Sequence, residues 1–241
     1  MDEKGKLARA IGFGFENLVG KTLENVQIDQ IDYNVMPKSA NKEYIDFRVL
    51  GTENSESVKI GVAIIQYPTG QGVQAGLSRL TDYAKFDLTR GCLLRAKDIS
   101  RTAKRAHQLI DLLLNQQGGE WPPMEAKTLR PLLAIRAVFD AREDYDVTEE
   151  DIKVFIDKNK IAETNPLLLE ILSNPSGQIP NGLVDEDTIS NDLTSTLGVL
   201  LDTKQKLALG DVESDEASDD LSSTLDSLLD SKQQLSLGSV A

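Results

Sequence analysis

The sequence predicts an α/β fold, with a mixed central sheet flanked by helices, followed by a small helical appendage and a disordered acidic tail. Three observations predict it. The segment Val58–Tyr67 is apolar on both faces, as a strand covered on both sides must be. Residues 1–115 read in the order helix, three strands, crossover helix, strand, helix, which builds a sheet with helices on its faces. After Ser173 the composition turns polar and acidic: residues 173–241 hold 13 Asp and Glu against 3 Lys, a net of −10. Residues 1–172 hold 26 acidic and 23 basic residues, a net of −3, so the chain's net charge of −13 belongs mostly to the tail.

Residues 5–26 are predicted as a helix, because Leu7, Ile11, Phe15, Leu18, Val19, Leu23 and Val26 recur at spacings of three and four. Gly12, Gly14 and Gly20 each cost roughly 1 kcal/mol inside a helix, which points to close approach of a neighbour. Residues 26–35 alternate loosely, as an edge strand does. Pro37–Asn41 is a turn signal. In 44–50, Ile45, Phe47 and Val49 share one strand face, and Asp46 and Arg48 the other. Gly51–Ser57 is a polar hairpin turn leading into the Val58–Tyr67 strand.

Pro68–Gly72 breaks that strand, and Val73, Leu77, Leu80 and Tyr83–Ala84 mark a helix over 73–86. Gly91–Arg95 is a short buried strand. Ser100 is placed to cap a helix running to about Leu114. Residues 116–123, rich in Gly and Pro, are predicted as a linker to a helical appendage over 124–172. There Thr148 caps one helix and Asn165-Pro166 opens another. Residues 173–241 form the acidic tail.

The tail carries a tandem repeat with a period of 28 residues: 187–210 returns as 215–238, with 15 of 24 paired positions identical. Leu193, Leu197, Leu200 and Leu201, and their counterparts Leu221, Leu225, Leu228 and Leu229, form an apolar stripe on a short helix. Such a helix is marginal alone in water and suits a groove on a partner. Two copies raise apparent affinity through effective concentration. A recent duplication in a solubilising tail is the bland alternative.

The order of Glu16, Asp46 and the strand ending in Tyr67 resembles the Mrr-type branch of the PD-(D/E)XK restriction-endonuclease fold. In that family a first helix carries a Glu within a Gly/Phe-containing stretch, matched here by Gly12-Phe13-Gly14-Phe15-Glu16. A strand then ends near a metal-binding Asp, matched by Asp46 in Tyr44-Ile45-Asp46-Phe47-Arg48-Val49. The next strand carries an acidic residue or Gln, then one residue, then Lys. Aligned on Tyr67, those two positions hold Ala63 and Ile65. The resemblance covers roughly residues 5–115.

The resemblance implies Mg²⁺ held by carboxylates of both strands, and a Lys that stabilises charge on the attacked phosphate. Ala63 and Ile65 supply neither. Gln66 is one step out of register and faces the other side. Lys59 lies four residues from Ala63, about 13 Å along a strand. The expectation is therefore a catalytically inactive endonuclease-like domain, with Glu16, Asp46, Ala63, Ile65 and Gln66 as vestigial positions and no metal or cofactor. An active nuclease using displaced Glu16, Glu43, Asp46 and Gln66, with Mg²⁺, is the alternative. A structural adaptor without nucleic-acid contact is the third reading.

Cationic residues concentrate in 76–107, where Lys97, Arg101, Lys104 and Arg105 can line the start of one helix and track a phosphate backbone, DNA being the partner considered. An ordinary solvated face fits the same charges. No aromatic residue interleaves with them in sequence, so base stacking is not indicated. His107, the only histidine, has no triad partner at a recognisable spacing. Trp121 reads as a packing anchor, and no P-loop or dinucleotide fingerprint is present. A single cysteine, Cys92, excludes an internal disulfide and a cysteine-rich zinc site. No apolar run spans a membrane, no signal-peptide core opens the chain, and a cytoplasmic location is expected. The protein partner implied for the tail is an ATPase or nuclease subunit of a DNA-processing complex.

Overall fold

The computed structural model describes residues 3–33, 35, 45–67, 70–181 and 183. Helix α1 (Glu3–Glu16) leads into an antiparallel meander of β1 (Thr22–Leu23), β2 (Val26–Asp32), β3 (Phe47–Glu53) and β4 (Glu56–Ile64). Helix α2 (Gly70–Leu80) and the one-turn α3 (Tyr83–Phe86) cross to β5 (Arg90–Leu94), which runs parallel to β4. Helix α4 (Lys104–Asp111) continues as a π-helical stretch, Leu112–Gln116, before α5 (Ala126–Asp140), α6 (Glu149–Lys158) and α7 (Pro166–Leu172). The strands lie in the order β1-β2-β3-β4-β5. The result is a mixed five-stranded sheet with helices on both faces, the coarse architecture expected. Among the described residues no helix is long and apolar enough to cross a membrane.

The first helix is shorter than its hydrophobic spacing predicts. It ends at Glu16, and Leu23 and Val26 belong to a hairpin instead. Gly20 takes φ +84°, a left-handed turn that ends helical progress, and Glu24 and Asn25 both have positive φ, as a two-residue primed hairpin loop requires. Asn54 and Ser55 repeat that geometry between β3 and β4. Spacing alone cannot distinguish further helical turns from two short strand ends, because both bring apolar residues to one side.

Strand β4 is buried on both faces as expected. Val58, Ile60, Val62 and Ile64 join a core with α1, α5, α6 and α7, whereas Ala63 and Ile65 join a second core with α2 and α4. The predicted appendage is thus continuous with the sheet's own core. A Cβ on Gly14 of α1 would lie 2.9 Å from Leu168 and 3.0 Å from Leu132, so the bare glycine lets α5 and α7 seat directly on α1. The Arg136 guanidinium lies over the rings of Phe13 and Phe139, 5.3 and 5.1 Å from their centroids.

The predicted linker is buried too. Glu120 N–H donates to Gly91 O (2.9 Å) and Leu93 N–H to Glu120 O (2.8 Å), so this stretch seals the outer edge of β5. Trp121 is among the largest fully buried side chains. The Thr148 and Asn165 caps form as predicted, Thr148 with Asp151 in a reciprocal capping box and Asn165 accepting from Leu167 and Leu168. Ser100 does not cap α4; it opens a turn, and the helix starts at Lys104. The turn at 37–41, Glu43 and the tail repeat lie outside the described residues.

Helix α2 lies against β4 at Gly76, where a Cβ would sit 2.6 Å from Ile65 Cδ1. Helix propensity favours Ala over Gly by about 1 kcal/mol, but overpacking costs about 1–3 kcal/mol. Gly76→Ala is therefore expected to lower the free energy of urea unfolding, and Ile65→Val, which removes that Cδ1, is expected to recover part of the loss in a double-mutant cycle. A stabilised Gly76→Ala protein would contradict the packing of α2 on β4.

Candidate functional site

Parallel pairing of β4 and β5 brings the segments that follow them to one edge of the sheet, where ligands commonly bind in α/β folds. The carboxylate expected from the nuclease resemblance contacts the end of β4, and the cations expected to contact phosphate follow β5.

Asp46 stands just before β3 and reaches across to the end of β4. Its N–H donates to Val62 O (3.0 Å), and its Oδ2 accepts from the Ile64 N–H (2.7 Å). Lys4 of α1 places its ammonium 3.0 Å from Oδ1. The side chain is 12% exposed, so this carboxylate is mostly withdrawn from water, with one oxygen bound to backbone and the other neutralised by a lysine.

The other positions singled out by the resemblance are dispersed. Glu16 closes the opposite end of α1, ~18 Å along the helix axis from Lys4, and accepts from the Tyr33 hydroxyl (2.8 Å). Burial and then that bond push the Tyr33 phenol above its ordinary range, so it stays a donor to Glu16. Ala63 and Ile65 are buried under α2. Gln66 turns to the other side, its amide donating to Met124 Sδ at 3.3 Å. Lys59 is held by Asp87, whose carboxyl is pulled below its ordinary value chiefly by that hydrogen bond. Among the described residues no three His, Cys, Asp or Glu side chains gather as a metal site. The Cys92 thiol is wholly buried and pushed well above its ordinary range by desolvation, which excludes it as a nucleophile.

The cations divide into two kinds. Arg90 and Arg95 are internal. Arg90 binds Glu53 (2.8 Å) and the carbonyls of Leu172 and Ser173. Arg95 is 1% exposed, and its guanidinium donates to Ile65 O (2.8 Å), Tyr67 O (3.1 Å) and Asp98 O (3.0 Å). Arg101, Lys104 and Arg105 are exposed and Lys97 is half-buried. None of these four forms an ion pair with a described residue, and Arg105 donates to Gln108 Oε1 (3.1 Å).

The cations surround the start of α4 rather than successive turns of it. Arg101 lies in the turn held by Ser100 and Thr102, whose hydroxyls are 2.9 Å apart, and His107 Nε2 rests 3.1 Å from Ser100 O. Lys104 and Arg105 are the first two residues of the helix, with no side-chain cap and no acid in the first turn. Cations at a helix N-terminus oppose its dipole, at a cost of about 0.3–1 kcal/mol each, and a bound anion relieves that repulsion.

An aromatic side chain is also present at this edge. Tyr67 is 44% exposed, and its ring packs over Gly72, where a Cβ would lie 2.8 Å from the tyrosine Cβ. Two residues earlier, a Cβ on Gly70 would lie 3.3 Å from Ala103 Cβ. The start of α2 therefore separates Tyr67 from the start of α4 by one helical thickness at most. The sequence showed no aromatic among the cations because some thirty residues of crossover intervene; the tyrosine directly after a doubly buried strand was the available signal. Leu193, Leu197, Leu200, Leu201, Leu221, Leu225, Leu228 and Leu229 lie outside the described residues.

No family model, no curated protein and no solved structure matches this chain.

The bonds of Asp46 order the effects of its replacement. Asp46→Ala leaves the Ile64 N–H without its acceptor and should lower unfolding free energy by about 1–3 kcal/mol. Asp46→Asn keeps an acceptor, and Lys4→Met removes a pair one-third exposed at the lysine; each should cost about 1 kcal/mol or less. Chemical denaturation measures the series. Equal losses for Ala and Asn would refute the backbone-holding role.

Proposed function

We propose that this chain is a catalytically inactive, restriction-endonuclease-like domain that binds nucleic acid at the carboxyl edge of β4 and β5, and recruits a partner protein through the duplicated leucine segments of its tail. One observation carries the binding reading: Lys97, Arg101, Lys104 and Arg105 converge around one helix start without ion-pair partners among the described residues. Tyr67 adds a ring on which a base can stack, which favours single-stranded nucleic acid over duplex. Backbone phosphates would meet the cations, and the aromatic face tolerates any base, so little sequence preference is expected.

The element order α1, antiparallel meander, crossover, parallel strand and helix supports the nuclease-like part of the reading. Loss of catalysis rests on Asp46, which is committed to Ile64 and Lys4, and on Ala63 and Ile65, which are core residues. The displaced-residue alternative meets the same obstacles, since Glu16 is engaged by Tyr33 and Gln66 points toward Met124. A cytoplasmic setting belongs to this reading, supported by a lone buried thiol.

Titration of fluorescent oligo(dT) at several salt concentrations tests the reading. Replacing Arg101, Lys104 and Arg105 by Gln should lower the slope of log K against log salt by about 2, at ~0.7 per phosphate contact. Tyr67→Ala should weaken binding by about 1–3 kcal/mol while leaving the slope unchanged. No binding at low salt would leave the adaptor reading, and Mg²⁺- or Mn²⁺-dependent cleavage lost in Asp46→Ala would establish a nuclease. For the tail, Leu200→Asp with Leu228→Asp should abolish co-purification of the partner protein; retention would remove the leucine stripe from the reading.

A further inference from the structure

We propose that the acidic tail of this chain, residues 184–241, docks on the basic face at the start of α4 and competes there with nucleic acid. The proposal uses the same face as the nucleic-acid reading but does not depend on that ligand.

The path of the chain leads there. Beyond α7, Arg90 holds the carbonyls of Leu172 and Ser173. Glu120 then takes Ser176 through both its N–H (2.5 Å) and its hydroxyl (2.9 Å). Gly177 passes the middle of the π-helical stretch, where a Cβ would lie 3.7 Å from Leu114 O. Leu183 packs against the apolar cluster that α2 and α4 cover. The strap is thus fastened at three points and delivers the chain to the layer that bears the cations.

Charge supplies the second argument. Asp185, Glu186 and Asp187 follow Leu183 almost at once, and residues 184–241 hold 13 acidic and 3 basic residues, a net of −10. Residues 1–172 are themselves net −3, so the domain as a whole does not attract the tail. Attraction must be local, because charges beyond about 8–10 Å are screened at physiological salt. Residues 97–105 hold four cations and one Asp, a net of +3, without ion-pair partners among the described residues. From Leu114 back to Lys104 is ~15 Å along a helix, a span that five extended residues of tail cover. A tethered anion acts at an effective concentration in the millimolar range, so even weak pairing is populated.

The test uses the full chain with Ser190→Cys carrying a nitroxide label, Cys92 being buried and unreactive. At low salt, the amides of Arg101–Gln108 should broaden. Broadening should vanish at high salt, in Arg101→Gln/Lys104→Gln/Arg105→Gln, and when Asp185, Glu186, Asp187 and Asp192 become Asn or Gln. The neutral-tail variant should bind oligo(dT) on the order of tenfold tighter, as expected if the tail occupies the face nine-tenths of the time. No broadening at low salt overturns the proposal, whatever the nucleic-acid result. Broadening that appears only when labelled and isotope-enriched chains are mixed also overturns it, in favour of a second copy as occupant. Broadening with no oligo(dT) binding by either form upholds the docking and removes the nucleic-acid reading instead.

Discussion

A guanidinium buried beneath three carbonyl oxygens holds the carboxyl edge of β4 and β5 together. Arg95 directly follows β5, and it donates to Ile65 and Tyr67 of the segment after β4 and to Asp98 farther along its own segment. Its own carbonyl accepts from Trp121 Nε1 (3.0 Å). Withdrawing such a charge from water costs several kcal/mol, offset here by charge-assisted hydrogen bonds worth about 1.5–3 kcal/mol each. What the arrangement secures is geometry. Tyr67, Lys97 and the turn into α4 are all placed relative to one rigid planar group.

The same edge shows a carboxylate used as a structural tie. Asp46 bonds β4 through Oδ2 and α1 through Oδ1, so it staples the first helix to the opening between β3 and β4. Lys4 supplies the counter-charge from within the chain, 3.0 Å from Oδ1. Ala63 and Ile65 turn into the core under α2 and add apolar packing beneath the same edge.

Much of the fold was legible because local physics decided it. Val58–Tyr67 had to be covered on both sides, and Thr148 and Asn165 satisfy helix N–H groups with their own side chains. Other elements were hidden by interactions distant in sequence. The stretch 17–26 has helical spacing, yet Gly20, Glu24 and Asn25 turn left-handed because β2 offers hydrogen bonds to the returning chain. Residues 116–123 have the composition of a linker, yet β5 presents an open edge that Glu120 completes. The helices after 124 have the look of an appendage, but Gly14 leaves room for Leu132 and Leu168 against α1.

By itself the sequence determined the alternation of helices and strands, the doubly buried strand, the charge asymmetry between domain and tail, and the absence of acid and lysine at positions 63 and 65. These follow from side-chain polarity at fixed backbone periods, which requires no knowledge of neighbours. Only the tertiary structure decided which cations are spent inside and which remain outside, and that an aromatic ring lies near them. It also decided that Asp46 faces an ammonium, and that the strap from Leu172 to Leu183 runs to the basic layer. Each of those depends on contacts between segments tens of residues apart, and pairing across such distances is set by how the sheet and its two helical layers close around their cores.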